Sequence, residues 1–392
     1  MEVLVAGGGI GGLAAALACT RAGGAVRLFE QASAFAEVGA GIQLGPNATR
    51  LFERWGLQAE LARVAAMPQQ LSVRRARDGC ELGRLRLGSD LAERYGAPYA
   101  TVHRADLQNI LIDAVGAAGV APLMSSRVAG VQALGDAVRV RLETGKELEG
   151  DVLLGADGLW SAVRAQVFAD GPPWPTGHLA YRALAVQANI PVSLRSADVT
   201  LWLGPRMHVV AYPVRGGDQL NVVAIVHAKS HGAAQDWDQP ARAKDLLEAM
   251  GPSCSALQEL VTAMPAWRLW TLHDRKPLSA AGEMVRGRIA LLGDAAHPMR
   301  PYLAQGAGMA IEDADELARV LAMSREAKIE VPIALKRYAL HRWERCARVQ
   351  AQARRNGRIF HASGLVRWGR DVSLRFLGER LLDQPWLYGS RS

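Results

Sequence analysis

Three glycine-containing segments and one strand-like run carry the residues whose types and spacing suit chemistry. The first segment is Gly7-x-Gly9-x-x-Gly12. In that spacing Gly7 permits a tight turn, Gly9 lets a pyrophosphate approach the backbone, and Gly12 permits close packing of a helix on a strand. The helix N-terminus behind such a turn favours phosphates. Glu30 follows Gly12 by 18 residues, placed to accept a hydrogen bond from a ribose hydroxyl. The second segment is Gly155-Ala156-Asp157-Gly158, followed by Ser161 and Arg164. The third is Gly293-Asp294-Ala295-Ala296-His297-Pro298. Beyond it, Pro298–Gly308 reads as a glycine-rich loop before a helix over Met309–Leu321, with backbone N–H groups and a positive dipole end aimed outward. The strand-like run is Met207–Val214. Alternate side chains share one face of a strand, so His208, Val210 and Tyr212 point the same way. A histidine can take a phenol proton, and a tyrosine can hydrogen-bond a carboxylate or hydroxyl. On residue type alone, a hydrogen-bonded core histidine is the commoner outcome at His208.

These groups need elements to hold them. Glu2–Ala6 and Val26–Glu30 read as short strands flanking a helical Leu13–Arg21, a βαβ opening. Gly39–Asn47 reads as a loop before a helix at Ala48–Trp55. Residues 71–87, turning at Asp78-Gly79, and Val128–Glu143, turning at Gly135-Asp136, read as hairpins. Asp151–Gly155 and Arg288–Leu292 are short apolar strands, each running into a glycine segment. Pro172, Pro173 and Pro175 mark a change of character, after which Leu179–Val226 reads as longer strands. Helical patterns return at Ala241–Glu248, Ile311–Met323 and most of Ala334–Leu382. The expected fold class is α/β. A discontinuous Rossmann-like domain (1–70, 98–171 and 272–330) would carry an inserted mixed β-sheet substrate domain (71–97 and 172–271). Helices would form the C-terminus (331–392).

Composition narrows the function classes. A chain of 392 residues with 49% hydrophobic and 21% charged residues can bury a large core, which excludes a disordered chain. No apolar stretch reaches the roughly 20 residues that span a bilayer. The four cysteines are scattered without CxxC spacing, so neither a metal site nor a disulfide framework is expected, and a reduced, cytoplasmic setting fits. The 46 basic and 38 acidic residues leave a net charge of +8. The excess is spread out with no basic block among aromatics, so nucleic acid is not an expected partner. A mildly positive field would draw in small anions.

The Gly7–Gly12 fingerprint, the Asp157-Gly158 segment and the Gly293–Pro298 segment stand in the order and spacing of the group A flavoprotein aromatic hydroxylases. The chain resembles that family over nearly its whole length. The resemblance implies FAD held by all three segments, and NADH or NADPH as a co-substrate without a Rossmann domain of its own. By matching motif it places Asp294 at the FAD pyrophosphate or ribityl chain, and Asp157 in FAD and pyridine-nucleotide binding. It places Arg104, within His103-Arg104-Ala105-Asp106-Leu107, near the FAD phosphates, where a cationic fork suits a dianion. Gly7, Gly9, Gly12 and Glu30 complete the expected cofactor contacts. The backbone of Gly306, Ala307 and Gly308 would face the flavin N1/O2 edge and stabilise the anionic reduced ring.

On the substrate side, His208 and Tyr212 resemble the His…Tyr pair of salicylate and 3-hydroxybenzoate hydroxylases. Gln305 resembles a glutamine that reaches the substrate in the latter branch. His208, Tyr212 and Gln305 are therefore the expected catalytic residues, with His297 as a positioning residue and no metal. Gln43 stands where the 6-hydroxynicotinate branch has a histidine, and Pro385–Tyr388 is similar to the salicylate-type branch. Arg182 and Arg206 are candidates for a substrate carboxylate, although a surface role is commoner for each. The resemblance implies a monooxygenase that hydroxylates a small aromatic acid, such as salicylate or 3-hydroxybenzoate, with NAD(P)H and O2 through a flavin C4a-hydroperoxide. Deprotonation of the phenol by His208 would enrich the ortho and para carbons. The alternatives are a heteroaromatic (6-hydroxynicotinate-like) or larger polycyclic phenolic substrate, and a non-enzymatic nucleotide-binding sensor, which would need no flavin-edge loop. No WxWxIP motif appears, which disfavours a halogenase. A monomer or homodimer without membrane contact is expected.

Overall fold

Short apolar strands drawn from distant parts of the chain pair in parallel at the centre of a five-stranded sheet. In the computed structural model, which describes residues 1–35, 40–228 and 238–389, Glu2–Ala6 lies between Ala25–Phe29 and Val152–Gly155. Val152–Gly155 pairs in turn with Ile289–Leu291, and Val285–Arg286 closes that edge antiparallel. Leu4, Val5, Leu153, Leu154 and Leu291 are wholly buried, as expected of strands covered on both faces. The register aligns Ala6 with Gly155, and Gly155 with Leu291. Each of these residues stands at or just before a glycine segment. The carboxyl ends of the parallel strands therefore deliver all three segments to one rim, where open α/β sheets bind ligands.

A second, mixed sheet has eight strands. Their order is Gln239–Ala241, Trp267–Asp274, Trp174–Val186, Gln219–His227, Met207–Val214, Val199–Gly204, Gln70–Arg75 and Glu81–Arg86. Of the pairs described, Val199–Gly204 with Gln70–Arg75 is parallel and the rest are antiparallel. This sheet has its own core, including Tyr181, Val222, Leu246 and Trp267. Leu4, Leu13 and Ile311 belong to the core of the parallel sheet. The hairpin expected over 71–87 is present, and Gly79 takes a φ of +73° at its turn. The hairpin expected over 128–143 gains a third strand, Glu147–Gly150.

Two expectations need correction. Gly39 lies outside the described residues, but four residues of the loop expected there form a strand, Gly41–Leu44, paired with Ala100–His103, and Pro46 and Asn47 open the helix Pro46–Arg54. Gly41 serves close approach rather than a turn, since a Cβ there would lie 2.5 Å from the Tyr212 ring. The helix expected from Met309 begins at Gly306 and runs to Glu326, with Met309 N–H bonded to Gln305 O. Apolar periodicity starts at the first large side chain and so misses a first turn built of Gly, Ala and Gly. The long C-terminal pattern resolves into Val331–Phe360, Gly364–Leu382 and Pro385–Tyr388. No helix among the described residues is long and apolar enough to cross a membrane.

Candidate active site

A cavity of about 400 Å³ opens where the rim of the parallel sheet meets the mixed sheet. Gly9, Arg104, Asp294, Gly306 and Ala307 lie on its wall. Gly9 precedes the helix Ile10–Arg21, and Gln305 precedes Gly306–Glu326. The first-turn N–H groups of two helices, which lack partners within their own helices, thus end at the cavity. A Cβ added at Gly9 or Gly306 would meet no atom within 4 Å. Gly7 and Gly12 do not line the cavity. Gly7 has a φ of +103°, and a Cβ on it would lie 2.5 Å from Ala156 O. One on Gly12 would lie 1.8 Å from Gly7 O. These two glycines let the first turn press against both the Asp157 segment and its own helix.

The acids divide by role. Glu30 accepts from Gly8 N–H at 2.7 Å and Ala32 N–H at 2.8 Å. It braces the glycine turn, off the cavity wall. Asp157 accepts from the Ser161 hydroxyl and from Val163 N–H, so it anchors the start of the helix Ala162–Phe168. Gly158, with a φ of +75°, faces the cavity beside it. Gly308 also lies off the wall, close to the Gln305 side chain. Asp294 and Arg104 do face the cavity. Burial pushes the Asp294 carboxyl up, opposed by His297 and Arg104. Burial likewise lowers the Arg104 guanidinium, opposed by Asp294.

His208, Tyr212 and Gln305 stand on the same wall, and each is almost fully buried. His208 Nδ1 lies 2.7 Å from His361 Nε2. Burial, with the neighbouring His178, lowers His208 to about 3, so the ring is neutral near neutral pH. Tyr99 Oη donates to Gln43 Oε1 at 2.6 Å. That turns the Gln43 amide nitrogen to the Tyr212 hydroxyl, to which it bonds. Tyr212 Oη therefore accepts from Gln43 and keeps its own proton to donate; burial, which outweighs Gln43, raises the phenol above its ordinary value. Gln305 is oriented by similar logic. Asn47 Nδ2 donates to the Glu312 carboxylate at 2.7 Å, which can only accept, and to Gln305 Oε1 at 3.0 Å. Gln305 Nε2 is thereby left as a donor directed away from Asn47.

Of the two candidate arginines, Arg182 lines the cavity, bonds Asp238 at 2.7 Å and stacks over Trp270. Arg206 is an exposed turn residue with a φ of +60°. A second chamber of about 610 Å³ shares Gln43, His208 and Val210 with the first and reaches Phe360, Leu374 and Tyr388 of the C-terminal helices. Below the site runs an ion network whose members are buried except for Arg345, which is partly exposed. His297 Nε2 meets Asp313, Arg342 Nε bonds Asp313 at 2.8 Å, and Arg342 and Arg345 both pair with Glu312.

Residues 1–353 match the FAD binding domain family. The chain belongs to the group A FAD-dependent aromatic hydroxylases. The hydroxylase is 38% identical over 393 residues to the 3-hydroxybenzoate 6-hydroxylase of Polaromonas naphthalenivorans, covering 99% of this chain and 96% of that one. Among solved structures it is similar to HpxO of Klebsiella pneumoniae complexed with FAD and uric acid. There the TM-score is 0.85 at 28% identity, covering 97% of this chain and 95% of the other. It is also similar to a salicylate hydroxylase substrate complex, with a TM-score of 0.84 at 26% identity over 100% and 96% of the two chains. The hydroxylase is an FAD-dependent aromatic monooxygenase that uses NADH or NADPH as co-substrate.

The residues present fit FAD. Two helix N-termini converge on a wall where Gly9 and Gly306 leave room for a ligand against the backbone. Arg104 places a cation on the same wall, of a kind that would suit a pyrophosphate. Sequence reading missed Tyr99 as the residue that orients Gln43. It also missed the cluster of His178, His227 and His361 behind His208. His178 and His227 are directly paired across two strands, and strand register has no signal in a single sequence.

Proposed function

We propose that the hydroxylase acts on a small aromatic acid carrying a phenolic hydroxyl, of the 3-hydroxybenzoate or salicylate kind. The observation that carries this reading is the placing of His208, Tyr212 and Gln305 on one cavity wall with Gly9, Asp294 and Gly306. Bound FAD supplies the redox chemistry, using NAD(P)H and O2 to deliver one oxygen atom to the ring. The first-turn amides after Gly9 and Gln305, with Arg104 and Asp294, would hold it. The Tyr212 hydroxyl and Gln305 Nε2 donate to substrate oxygens. His208 accepts the phenol proton at the ring nitrogen not held by His361, and the negative charge of the substrate raises its proton affinity. Loss of that proton enriches the ring carbons ortho and para to the oxygen. Val210, Val223 and Ile225 keep water from the reacting centre.

The test is NADH and NADPH oxidation by the yellow holoenzyme with a panel of hydroxybenzoates and hydroxynicotinates, with aromatic product quantified. One acid should stimulate oxidation and yield product in step with it. Stimulation by no member of the panel would overturn the small-acid reading.

A second reading, a larger phenolic ring, is favoured by the chamber of about 610 Å³ that adjoins the cavity at His208 and Gln43. Bulky phenols in the same assay separate the two. A cytoplasmic monomer or homodimer, fed by the cell's own pyridine nucleotides, completes the proposal.

A further inference from the structure

Behind the substrate wall, three histidines from separate elements converge. His178 lies on Trp174–Val186, His227 ends Gln219–His227, and His361 follows the long helix Val331–Phe360. One ring nitrogen from each lies within 4.8 Å of those of the other two. We propose that His178, His227 and His361 form a binding site for a nitrogen-preferring transition-metal dication of the Zn2+, Ni2+ or Cu2+ class. Such an ion would clip the end of the long helix to the mixed sheet.

Hydrogen bonding prepares these rings for the task. Thr176 Oγ1 donates to Leu272 O at 2.9 Å, so it accepts from His178 Nδ1 at 3.2 Å. That fixes the His178 proton on Nδ1 and leaves the Nε2 lone pair directed inward, the arrangement that outer partners impose on metal-ligating histidines. His178 Nε2 lies 2.7 Å from His227 Nε2. Two nitrogens at that distance share one proton, and a tetrahedral ion replacing it would open them to roughly 3.3 Å. His361 is buried, and its Nδ1 has no hydrogen-bond partner. An ion on that nitrogen would keep the His361 proton on Nε2, donated to His208 Nδ1, so an occupied site would convert His208 from proton acceptor to donor. His227 is only half-buried and gives an ion access.

The chemistry selects the ion. Three imidazoles suit borderline metals, whereas Mg2+ and Ca2+ require oxygen ligands. All three rings are held below the ordinary imidazole range, chiefly by burial, so each is neutral and able to ligate near neutral pH. Arg206 and Arg300 lie near enough to oppose a cation, but Arg300 is itself paired with Asp274 at 2.8 Å.

Isothermal titration of untagged, chelator-treated holoenzyme with ZnCl2 tests the site. The expected result is one ion per chain, no response to MgCl2, and a melting temperature that climbs with zinc concentration. His227→Gln and, independently, His178→Gln should each weaken zinc binding by more than about tenfold while retaining the flavin spectrum. Should either variant fail to fold, anomalous scattering at the zinc edge from zinc-soaked crystals of the unaltered enzyme locates the ion directly. The proposal is overturned by absence of saturable zinc binding, by variants that bind as tightly as the parent, or by an ion found elsewhere. One such place is the His297, Asp313 and Cys346 cluster, which Cys346→Ser would identify.

Discussion

The Nε2 atom of His297 lies 2.5 Å from Oδ2 of Asp313, and both side chains are wholly buried. The contact joins two parts of the cofactor wall. His297 closes the segment that carries Asp294, and Asp313 lies two turns into the helix that starts at Gly306. Asp313 also accepts from Gly293 N–H at 3.0 Å and from Arg342. One carboxylate thus sets the height of the Asp294 turn against the helix N-terminus.

Asp313→Ala should therefore both destabilise the fold and loosen the cofactor. It leaves Arg342 and His297 without their shared anion, and breaking a buried pair in this way costs about 3–5 kcal/mol. Urea denaturation of the apoprotein should show a loss of that size, and flavin should wash out on dialysis. A variant as stable as the parent would mean that Glu312 takes over both cations.

The same pair predicts a pH window. For His297, burial opposes the charge, but Cys346 and Asp313 outweigh it and hold the imidazolium well above 6.5. Its stabilisation is full below that unfolded value and is lost as pH rises through the raised folded one. For Asp313, burial acts upward, but His297 and Arg342 prevail and hold the carboxyl below its ordinary value. Its stabilisation is present above about pH 3.9 and is lost as pH falls through the lowered folded value. Melting temperature followed from pH 5 to 9 should decline at the alkaline end. His297→Asn should flatten that decline, and parallel curves for the two proteins would remove His297 as its source.

Glu30→Gln should weaken FAD without unfolding the domain. The carboxylate accepts from Gly8 N–H and Ala32 N–H, whereas an amide offers only one accepting end. Losing one charge-assisted bond of about 1.5–3 kcal/mol corresponds to a roughly ten- to hundredfold weaker Kd. Flavin fluorescence during titration of the apoprotein reads it directly. Unchanged affinity would show that the glycine turn holds its shape without Glu30.

Tyr99→Phe tests the positioning of Tyr212 through Gln43. Without the Tyr99 hydroxyl, the Gln43 amide is free to turn and the Tyr212 proton loses its fixed direction. The expected outcome is a KM for the aromatic acid raised about fivefold, the worth of one neutral hydrogen bond, with flavin affinity unaltered. If KM stays put, Gln43 is held by something other than Tyr99.

The cofactor half of the site was legible because its constraints are local. Gly7, Gly9 and Gly12 stand in one turn and the first helical residues behind it, so their spacing places them, while Asp294 was placed by its match to the family motif Gly293–Pro298. Their division of labour was less visible. The spacing separates Gly9, open to the cavity, from Gly12, packed against Gly7 O, but nothing in the sequence shows that Asp157 anchors a helix while Gly158 faces the cavity. The substrate half was legible along Met207–Val214, where period two puts His208 and Tyr212 on one face. Partners reached across the fold were not. His361 meets His208 from 153 residues away, and Tyr99 orients Tyr212 through Gln43.

His208 separates binding from chemistry most sharply. Its hydrogen bond goes to His361, and its ring packs on Phe360 and on Tyr302 of the loop before Gly306 rather than on Gly9, Arg104 or Asp294. His208→Ala should therefore leave flavin affinity within about twofold of the parent, as expected of a site outside the proposed cofactor contacts. General base assistance contributes about 10²- to 10⁴-fold, so hydroxylated product per NADH consumed should fall steeply while flavin reduction continues. The shortfall should emerge as hydrogen peroxide. His208→Gln fills most of the space and restores a hydrogen-bond acceptor but no titratable nitrogen. If Gln recovers coupling, His208 acts by orienting the phenol. If both variants stay uncoupled, the proton itself has to move to the ring. Full coupling in the alanine variant would remove His208 from the reaction and leave Tyr212 and Gln305 as the groups that face the substrate.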